Sequence, residues 1–294
     1  MSDRKPALNR SYGPYRCIHL VETSPEGALY YALHNRSGKM IAVRTLRLRD
    51  HNREKIIAQS RDEMARLRDL DVPHLLPLLD FGSTEDEVYL VLDYQHGSTL
   101  QERFEQRRAS GELPSVGEVS RLIFDLSEAL MGLHRVGIVH GQLEPRVVLF
   151  DARGRMFLSD YGLIRLLKIV YALEDSNSFA MTHYSAPELW DGNKPTAASD
   201  QYSLACLAFE LLSGRPPFLG NSIADLMRAH QMQAAPSIKR LRPELPNDVD
   251  FVFWQALAKP PERRFVSVLD FGAALSNVLL GHEGQPGSFY APSS

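Results

Sequence analysis

The sequence is poor in cysteine and has no long uncharged apolar run. Cys17 and Cys206 are the two cysteines among 294 residues, and they match no zinc-binding or disulfide pattern. No run of roughly 18 uncharged apolar residues, the length that predicts a transmembrane helix, is present. The start, residues 1–10, is polar and lacks the apolar core of a secretory signal. We therefore expect no transmembrane segment and a cytoplasmic location.

Neither sign of charge dominates the sequence. The 33 Lys and Arg residues face 36 Asp and Glu residues, giving a net charge of -3, so nothing indicates a nucleic acid partner. The length suits a single domain. Glycine, proline and serine are concentrated near the end, which predicts a disordered tail at residues 282–294. Residues 1–11 are expected to be a flexible N-terminus.

Hydrophobic periodicity differs between the two parts of the chain. The first part predicts strands near residues 15–21, 28–33, 40–46, 76–81 and 88–94, with a helix over residues 52–70. The second part predicts helices near residues 100–108, 116–136, 200–212, 222–231, 248–258 and 267–280. Residues 115–118 and 247–250 offer helix N-terminal signals. The pattern is that of an α+β protein.

The run HGQLEPRVVL at residues 140–149 resembles the H-R-D-L-K-P-x-N-x-L catalytic loop of eukaryotic-like (Hanks-type) Ser/Thr protein kinases. Further motifs resemble those of this family in the same order: IAVR at 41–44, DYG at 160–162, YSAPE at 184–188, DQYSL at 200–204, GRPPF at 214–218 and ERRF at 262–265. Because so long an ordered set does not arise by chance, the chain is identified as a member of this family, similar to its bacterial representatives.

The resemblance implies a bilobal protein-kinase-like fold. A small antiparallel β-sheet lobe with helix C would span residues 12–92, a hinge residues 93–97, and a larger, mainly α-helical lobe residues 98–281. The family's structural skeleton is matched by His140, Tyr161, Glu188, Asp200 and Arg264. Of these, Glu188 and Arg264 match a buried ion pair.

The same resemblance implies that the catalytic chemistry is degenerate. Gln142 stands in place of the base aspartate, Glu144 in place of the phosphate-facing lysine, and Val147 in place of the metal-binding asparagine. An amide cannot accept a proton from a substrate hydroxyl, and valine offers Mg²⁺ no ligand atom. We expect no intact catalytic residue.

The stretch ETSPEG at residues 22–27 stands where the family has G-x-G-x-x-G, and Gly27 is its one matching glycine. Glycines matter there because the backbone must approach phosphates closely. The sequence favours a plain β-hairpin turn instead.

The family's adenine-binding positions are better matched than its phosphate-binding positions. The resemblance places Leu29, Ala42 and Leu149 around adenine, Leu92 at the gatekeeper position, and Asp93 to Gln95 at the hinge. Hinge backbone groups can bond a purine edge whatever their side chains are. An empty, self-filled pocket would carry the same apolar residues, so binding of ATP or another adenine nucleotide stays open.

Arg44 replaces the strand lysine, and we expect it to pair with Glu63 and pin helix C to the sheet rather than bind phosphates. Asp160 is the one metal-ligand candidate left. It either holds one Mg²⁺ or caps local backbone at the start of the activation segment.

Residues 163–173 are strongly apolar apart from two basic residues. A solvated loop of this composition would be a sizeable exposed patch. We expect a short helix folded back under helix C, a docking surface for a partner protein, or both.

The leading hypothesis is a pseudokinase that serves as a protein-binding, scaffold or regulatory signalling module, with an active kinase or a signalling complex as its protein partner. One alternative is an enzyme, an atypical Ser/Thr kinase or nucleotidyl transferase that uses Asp160, Arg44 and Glu144 in rearranged roles. Another is a nucleotide sensor without turnover. Asp160 supports the enzyme, whereas Gln142 and Val147 oppose it.

Overall fold

The computed structural model describes residues 10–48, 53–95, 97–171 and 181–281. The predicted tail at 282–294 and residues 1–9 of the predicted flexible N-terminus lie outside this part. The chain divides into two compact units. One comprises Met1–Leu100 and Val147–Ser178, the other Gln101–Arg146 and Phe179–Ser294. Residues 147–171, which we assigned to the helical lobe, thus group with the sheet.

The first unit is built on an antiparallel sheet. Its six described strands are ordered β1-β2-β3-β4-β6-β5. Their bounds are β1 Ser11–Tyr12, β2 Tyr15–Thr23, β3 Gly27–His34, β4 Met40–Arg47, β5 Leu78–Ser83 and β6 Glu87–Asp93. One face is buried in an aromatic and aliphatic cluster that includes Tyr12, Tyr30, Val43, Tyr89 and Val91. The β-branched and aromatic residues at alternate positions explain both the strands and this core.

Helix α1 (Arg53–Arg68) follows β4, and the short strands β7 (Val148–Phe150) and β8 (Met156–Leu158) pair with each other. Helix α4 (Leu163–Tyr171) packs against both α1 and β4. Leu166 and Val170 of α4 are buried. The helix predicted at residues 163–173, folded against α1, is therefore confirmed over its described part, and residues 172–173 lie outside it.

The approach of α4 to α1 depends on Gly162. Its φ is +75°, and a Cβ there would lie 2.5 Å from Cδ1 of Leu67. An L-residue would be strained at this φ and would also clash, so glycine is required at the start of α4.

The second unit is helical. Its helices are α2 Leu100–Ala109, α3 Val116–Arg135, α5 Pro187–Trp190, α6 Ala197–Ser213, α7 Ile223–Met232, α8 Val249–Ala256 and α9 Val268–Leu280. Helix α6 is buried over almost its whole length, and α3 packs against α6 and α9. The signal at residues 115–118 is confirmed as a capping box between Ser115 and Glu118. At residues 247–250, Asp248 occupies the N-cap of α8 without a side-chain capping bond.

Both cysteines are buried and unpaired. Within the described ranges, no helix combines the length and apolar character needed to cross a membrane.

Candidate catalytic loop and nucleotide-side face of the sheet

Asp200 of α6 holds the loop that begins at His140. Its Oδ2 accepts hydrogen bonds from the backbone N–H of His140 at 2.9 Å and from Nε2 of His134 at 2.8 Å. Its Oδ1 accepts from the backbone N–H of Gly141 at 2.7 Å. Gly141 has φ +73°, a conformation that favours glycine. A fully buried carboxylate with three donors therefore fixes the entry to the loop.

The loop positions that would carry chemistry are changed in both charge and shape. Gln142 is half-buried and carries a neutral amide. The Glu144 carboxylate is paired with Nε of Arg146, two residues further along. Within the first unit, Val147 is 4% exposed, and its carbonyl oxygen accepts from the backbone N–H and the hydroxyl of Ser159. These side chains offer no anionic base at position 142 and no metal ligand at position 147.

Arg44 is paired with acids of the first unit. Its Nη2 lies 3.0 Å from Oδ2 of Asp160 and 3.8 Å from Oε2 of Glu22. The predicted pair between Arg44 and Glu63 does not form, because Glu63 instead directs its Oε2 to Nη1 of Arg66 at 3.5 Å. Helix α4 packs against both α1, which carries Glu63, and β4, which carries Arg44.

The Asp160 carboxylate does not fit a Mg²⁺ site. Asp160 has φ +60°, and its Oδ2 is already bonded to the Arg44 guanidinium. Mg²⁺ requires oxygen ligands in octahedral array, and the neighbouring family position is the apolar Val147. The donor set of this unit therefore does not support the metal that the fold family implies.

The β-hairpin turn predicted at Thr23 to Glu26 is present, and it connects β2, which ends at Thr23, to β3, which begins at Gly27. The N–H of Ser24 donates to the carbonyl of Gly27 at 2.8 Å, and the reverse bond measures 3.3 Å. A Cβ on Gly27 would lie 1.9 Å from the carbonyl oxygen of Thr45. Glycine is therefore needed here for strand packing, and its presence is no evidence for phosphate binding.

Three of the predicted adenine residues, Leu29, Ala42 and Leu92, share one face of the six-stranded sheet. Leu29 of β3 lies opposite Arg44 of β4, and Ala42 of β4 lies opposite Leu92 of β6. Directly opposite residues project to the same face. Leu149 lies in β7, within the same unit. The Asp93 carboxylate, in contrast, is bonded to Nζ of Lys39 at 2.8 Å.

Two aromatic residues on this face, His19 and Tyr31, were missed from the sequence, whereas Tyr94 lies within the predicted hinge. Tyr31 lies opposite both His19 and Ala42. Its ring stacks on His19 at 5.9 Å and meets the edge of Tyr94 at 4.7 Å. The signal was present, since Tyr31 follows Leu29 by two residues on one strand and therefore shares its face.

The predicted skeleton residues are well bonded. The Tyr161 hydroxyl donates to the carbonyl of Leu76 at 2.8 Å, and burial raises the pKa of Tyr161 to about 12. Arg264 forms a two-pronged pair with Glu188, at 2.8 Å from Nη1 to Oε1 and 2.7 Å from Nη2 to Oε2. A bidentate pair, with two parallel hydrogen bonds between guanidinium and carboxylate, is stronger than an ion pair with a single contact.

Comparison with known proteins agrees with the motifs and the fold. The model of the protein kinase domain family matches residues 25–271. Serine/threonine-protein kinase PknD of Mycobacterium tuberculosis H37Rv is 28% identical over 284 residues, covering 96% of this chain and 42% of its own length. Serine/threonine-protein kinase PrkC of Bacillus subtilis is 29% identical over 264 residues, covering 90% and 40%. The chain thus spans less than half the length of these relatives.

Among solved structures, the kinase domain of M. tuberculosis PknI aligns with a TM-score of 0.71 at 24% identity, over 93% of this chain and 99% of that one. This structural similarity supports a protein kinase fold, which consists of a part built on a β-sheet and a part built of helices. Motif order, family match and fold agree, and the chain belongs to the protein kinase family, with bacterial Hanks-type Ser/Thr kinases as its homologues.

Proposed function

We propose that this protein is a pseudokinase that acts as a protein-binding, scaffold or regulatory signalling module. The observation that carries the proposal is the catalytic loop, where Gln142, Glu144 and Val147 replace the base, the phosphate-facing cation and a metal ligand. Loss of one general base typically lowers a rate by about 10²–10⁴, and here several parts are changed together.

The electrostatics of the sheet face support the same proposal. Arg44 is the cation that would meet the phosphates, and its guanidinium is bonded to Asp160 and close to Glu22. The Glu144 carboxylate is likewise satisfied by Arg146. Phosphoryl transfer depends on positioning the phosphates and on stabilising their negative charge. Cations that are already paired with Asp160, Glu22 and Glu144 do neither.

A binding role needs a surface, and the loss of the reaction leaves the kinase body available for one. The bonds of Asp200 and of the pair Glu188–Arg264 stabilise the second unit of this body. The expected partner is a protein, such as an active kinase or a signalling complex. The proposed location is cytoplasmic.

The competing proposal is an atypical Ser/Thr kinase. It is favoured by the names of the relatives, which are serine/threonine-protein kinases, and by the aspartate kept at position 160. In that case Asp160, Arg44 and Glu144 would have to act in rearranged roles. A nucleotide sensor without turnover is the intermediate case.

A thermal-shift titration with ATP, with and without Mg²⁺ or Mn²⁺, separates these proposals. Ligands that bind the native state raise the melting temperature. The pseudokinase proposal predicts that the metals add nothing to the effect of ATP. A shift that requires ATP and metal together, and that is lost in Asp160→Ala, would favour the kinase.

A further inference from the structure

A serine and two arginines lie together at the end of helix α2, in the second unit. Arg107 and Arg108 belong to the last turn of the helix, which ends at Ala109, and Ser110 follows directly. Arg108 and residues 109–112 are exposed, and Arg107 is half-buried. The serine hydroxyl and the arginine side chains are therefore accessible from solvent.

The backbone at this end of α2 can open at a small cost. The backbone N–H of Ser110 donates to the carbonyl of Gln106 at 3.3 Å and to that of Arg107 at 3.1 Å, which are long bonds. Gly111 follows with φ +75°, so the right-handed helix ends before it. Along residues 105–112, all of which the structure describes, no side chain is buried. Helix ends with few buried contacts open locally at low free energy, so this segment can present an extended backbone to a binding groove.

The charges before Ser110 form a pattern that another protein can read. Arg107 precedes the hydroxyl by three residues and Arg108 precedes it by two. A guanidinium is a fixed positive charge that pairs bidentately with a carboxylate. Kinases discriminate among their substrates by such charge patterns. Two arginines at this spacing fit a peptide-binding groove that is lined by acids.

A similar pattern elsewhere in the second unit is not accessible. Ser267 follows Arg263 and Arg264, but the Arg264 side chain is fully buried in its pair with Glu188. The Ser267 hydroxyl is bonded to Asp270 at 2.7 Å and caps α9. Burial therefore distinguishes the two serines, and Ser110 is the one that a partner can reach.

Arg107 also joins α2 to α3. Its Nη1 donates to Oε2 of Glu118 at 3.0 Å, and its Nη2 donates to Oε1 at 2.7 Å. Arg107, together with the backbone N–H of Ser115, lowers the pKa of Glu118 to about 2. The Ser110 hydroxyl donates to the carbonyl of Arg107 at 2.9 Å. A negative charge placed on Ser110 would therefore act on a residue that connects two helices.

We propose that Ser110 is a phosphorylation site for an active, arginine-directed Ser/Thr kinase, and that the phosphate draws Arg107 away from Glu118. In the reaction the Ser110 Oγ forms a bond to the γ-phosphorus of ATP, and the bond from that phosphorus to its bridging oxygen breaks. ADP leaves, and the hydroxyl proton passes to the base of the acting kinase and then to solvent. That kinase is a protein partner of the class proposed above, but the site does not depend on whether this chain itself transfers phosphate.

The direction of the effect follows from charge and position. A phosphoserine carries about −1.5 to −2 charges near neutral pH, against one on the Glu118 carboxylate. Residue 110 is three positions from Arg107, the spacing of neighbours on a helix surface. Negative charge at a helix C-terminus is itself unfavourable. Phosphorylation therefore weakens the pair between Arg107 and Glu118 and destabilises the end of α2.

Treatment of the purified chain with the catalytic subunit of cyclic-AMP-dependent protein kinase, an arginine-directed enzyme, with ATP and Mg²⁺ tests the site. Mass spectrometry is expected to locate the phosphate on Ser110 and to find none in Ser110→Ala. Ser37→Ala is the control, because Ser37 is exposed but follows a single arginine. A parallel reaction without the added kinase measures any phosphotransfer by the chain itself.

Recognition by the arginines is tested separately. Arg108→Gln is expected to lower the rate of phosphorylation at least about tenfold, because it removes one charge-assisted pair with the kinase. The variant leaves the pair between Arg107 and Glu118 in place. Arg121→Gln changes an exposed arginine of α3 and is expected to leave the rate unchanged.

The shift in melting temperature on phosphorylation tests the effect on Arg107. Glu118→Gln removes the charge that Arg107 faces and keeps the capping box with Ser115, since glutamine serves in that motif as well as glutamate. Phosphorylation is expected to lower the melting temperature of the wild type, and to lower that of Glu118→Gln by a smaller amount.

The proposal is overturned if the added kinase leaves Ser110 unmodified or places the phosphate on Ser267 instead. It is also overturned if Arg108→Gln is phosphorylated as fast as the wild type, or if phosphorylation shifts the melting temperatures of wild type and Glu118→Gln equally.

Discussion

The surroundings of Asp200 and of Arg44 differ in how completely their polar atoms are bonded. Asp200 lies in the second unit, and both of its oxygens accept bonds, two of them from the backbone. Arg44 lies in the first unit, shares its guanidinium between two acids, and has a buried Nε–H without an acceptor among the described residues. The first arrangement specifies a fold. The second bonds Arg44 to nearby acids, which supports the proposal that this chain keeps the kinase fold without the reaction.

The largest effect is expected at the buried pair of the second unit. Glu188→Gln removes the charge that faces Arg264, whose side chain is fully buried. Breaking one partner of a buried pair costs about 3–5 kcal/mol, and we expect the free energy of unfolding to fall by about that amount. Glu244→Gln is the matched control, because Glu244 pairs with Arg242 while being 58% exposed. If Glu188→Gln lowers the free energy of unfolding no more than Glu244→Gln does, the Glu188–Arg264 pair does not stabilise this unit as described.

The second-largest loss of stability is expected in the first unit, on truncation of a buried residue of helix α4. Leu166 is fully buried where α4 packs against α1 and β4. Truncation of a buried leucine to alanine costs about 2–5 kcal/mol, and Leu166→Ala should lie toward the lower end because α4 is short and can shift. Leu280→Ala, at a position 59% exposed, is the control. Equal melting temperatures for the two variants would show that α4 does not pack as described.

The third effect depends on pH and arises from His230, which is buried in the second unit among Tyr202, Phe218 and Lys259. Burial, with Lys259 and His183 nearby, lowers the pKa of His230 to about 3. An unfolded histidine titrates near pH 6.5, so between these values the unfolded state binds the extra proton. Stability is therefore fully present above about pH 6.5 and falls on acidification, by at most about 1.4 kcal/mol per pH unit from this group.

Chemical denaturation from pH 7.5 down to pH 4.5 measures this slope. His230→Gln removes the titrating group and should reduce the slope of unfolding free energy against pH by up to about 1.4 kcal/mol per pH unit. The same variant lowers stability at neutral pH. Parallel profiles for wild type and variant would contradict the assignment.

The smallest effect is expected at the catalytic loop. Gln142→Asp restores the base aspartate, yet we predict no measurable turnover, because Val147 still provides no metal ligand and Arg44 stays paired with Asp160. A radiometric assay on this variant measures the outcome. Turnover regained by this single change would show that the first unit is better equipped for catalysis than its ion pairs indicate.

Periodicity and capping predicted most elements closely, because these signals are local. The helix expected at residues 116–136 is α3 Val116–Arg135, and the strand expected at 40–46 is β4 Met40–Arg47. Strands β1, β7 and β8 were missed because two or three residues carry no readable period.

The site was predicted less well, since side-chain partners depend on packing. The residue types at positions 44, 63 and 160 are visible in the sequence, but the pairing of Arg44 with Asp160 rather than with Glu63 is visible only in the structure. Similarly, Gly27 matched a phosphate-binding pattern, whereas the structure requires it for the close approach to Thr45. The motif located Gly27 correctly, but it did not reveal that strand packing is what requires a glycine there.

Incubation of the purified chain with γ-labelled ATP and Mg²⁺ or Mn²⁺, alone and with a generic protein substrate, tests the central claim most directly. The account predicts incorporation no greater than that of an Asp160→Ala variant measured in parallel. Incorporation that rises with time in the wild type and disappears in Asp160→Ala would contradict it and establish this chain as an active kinase.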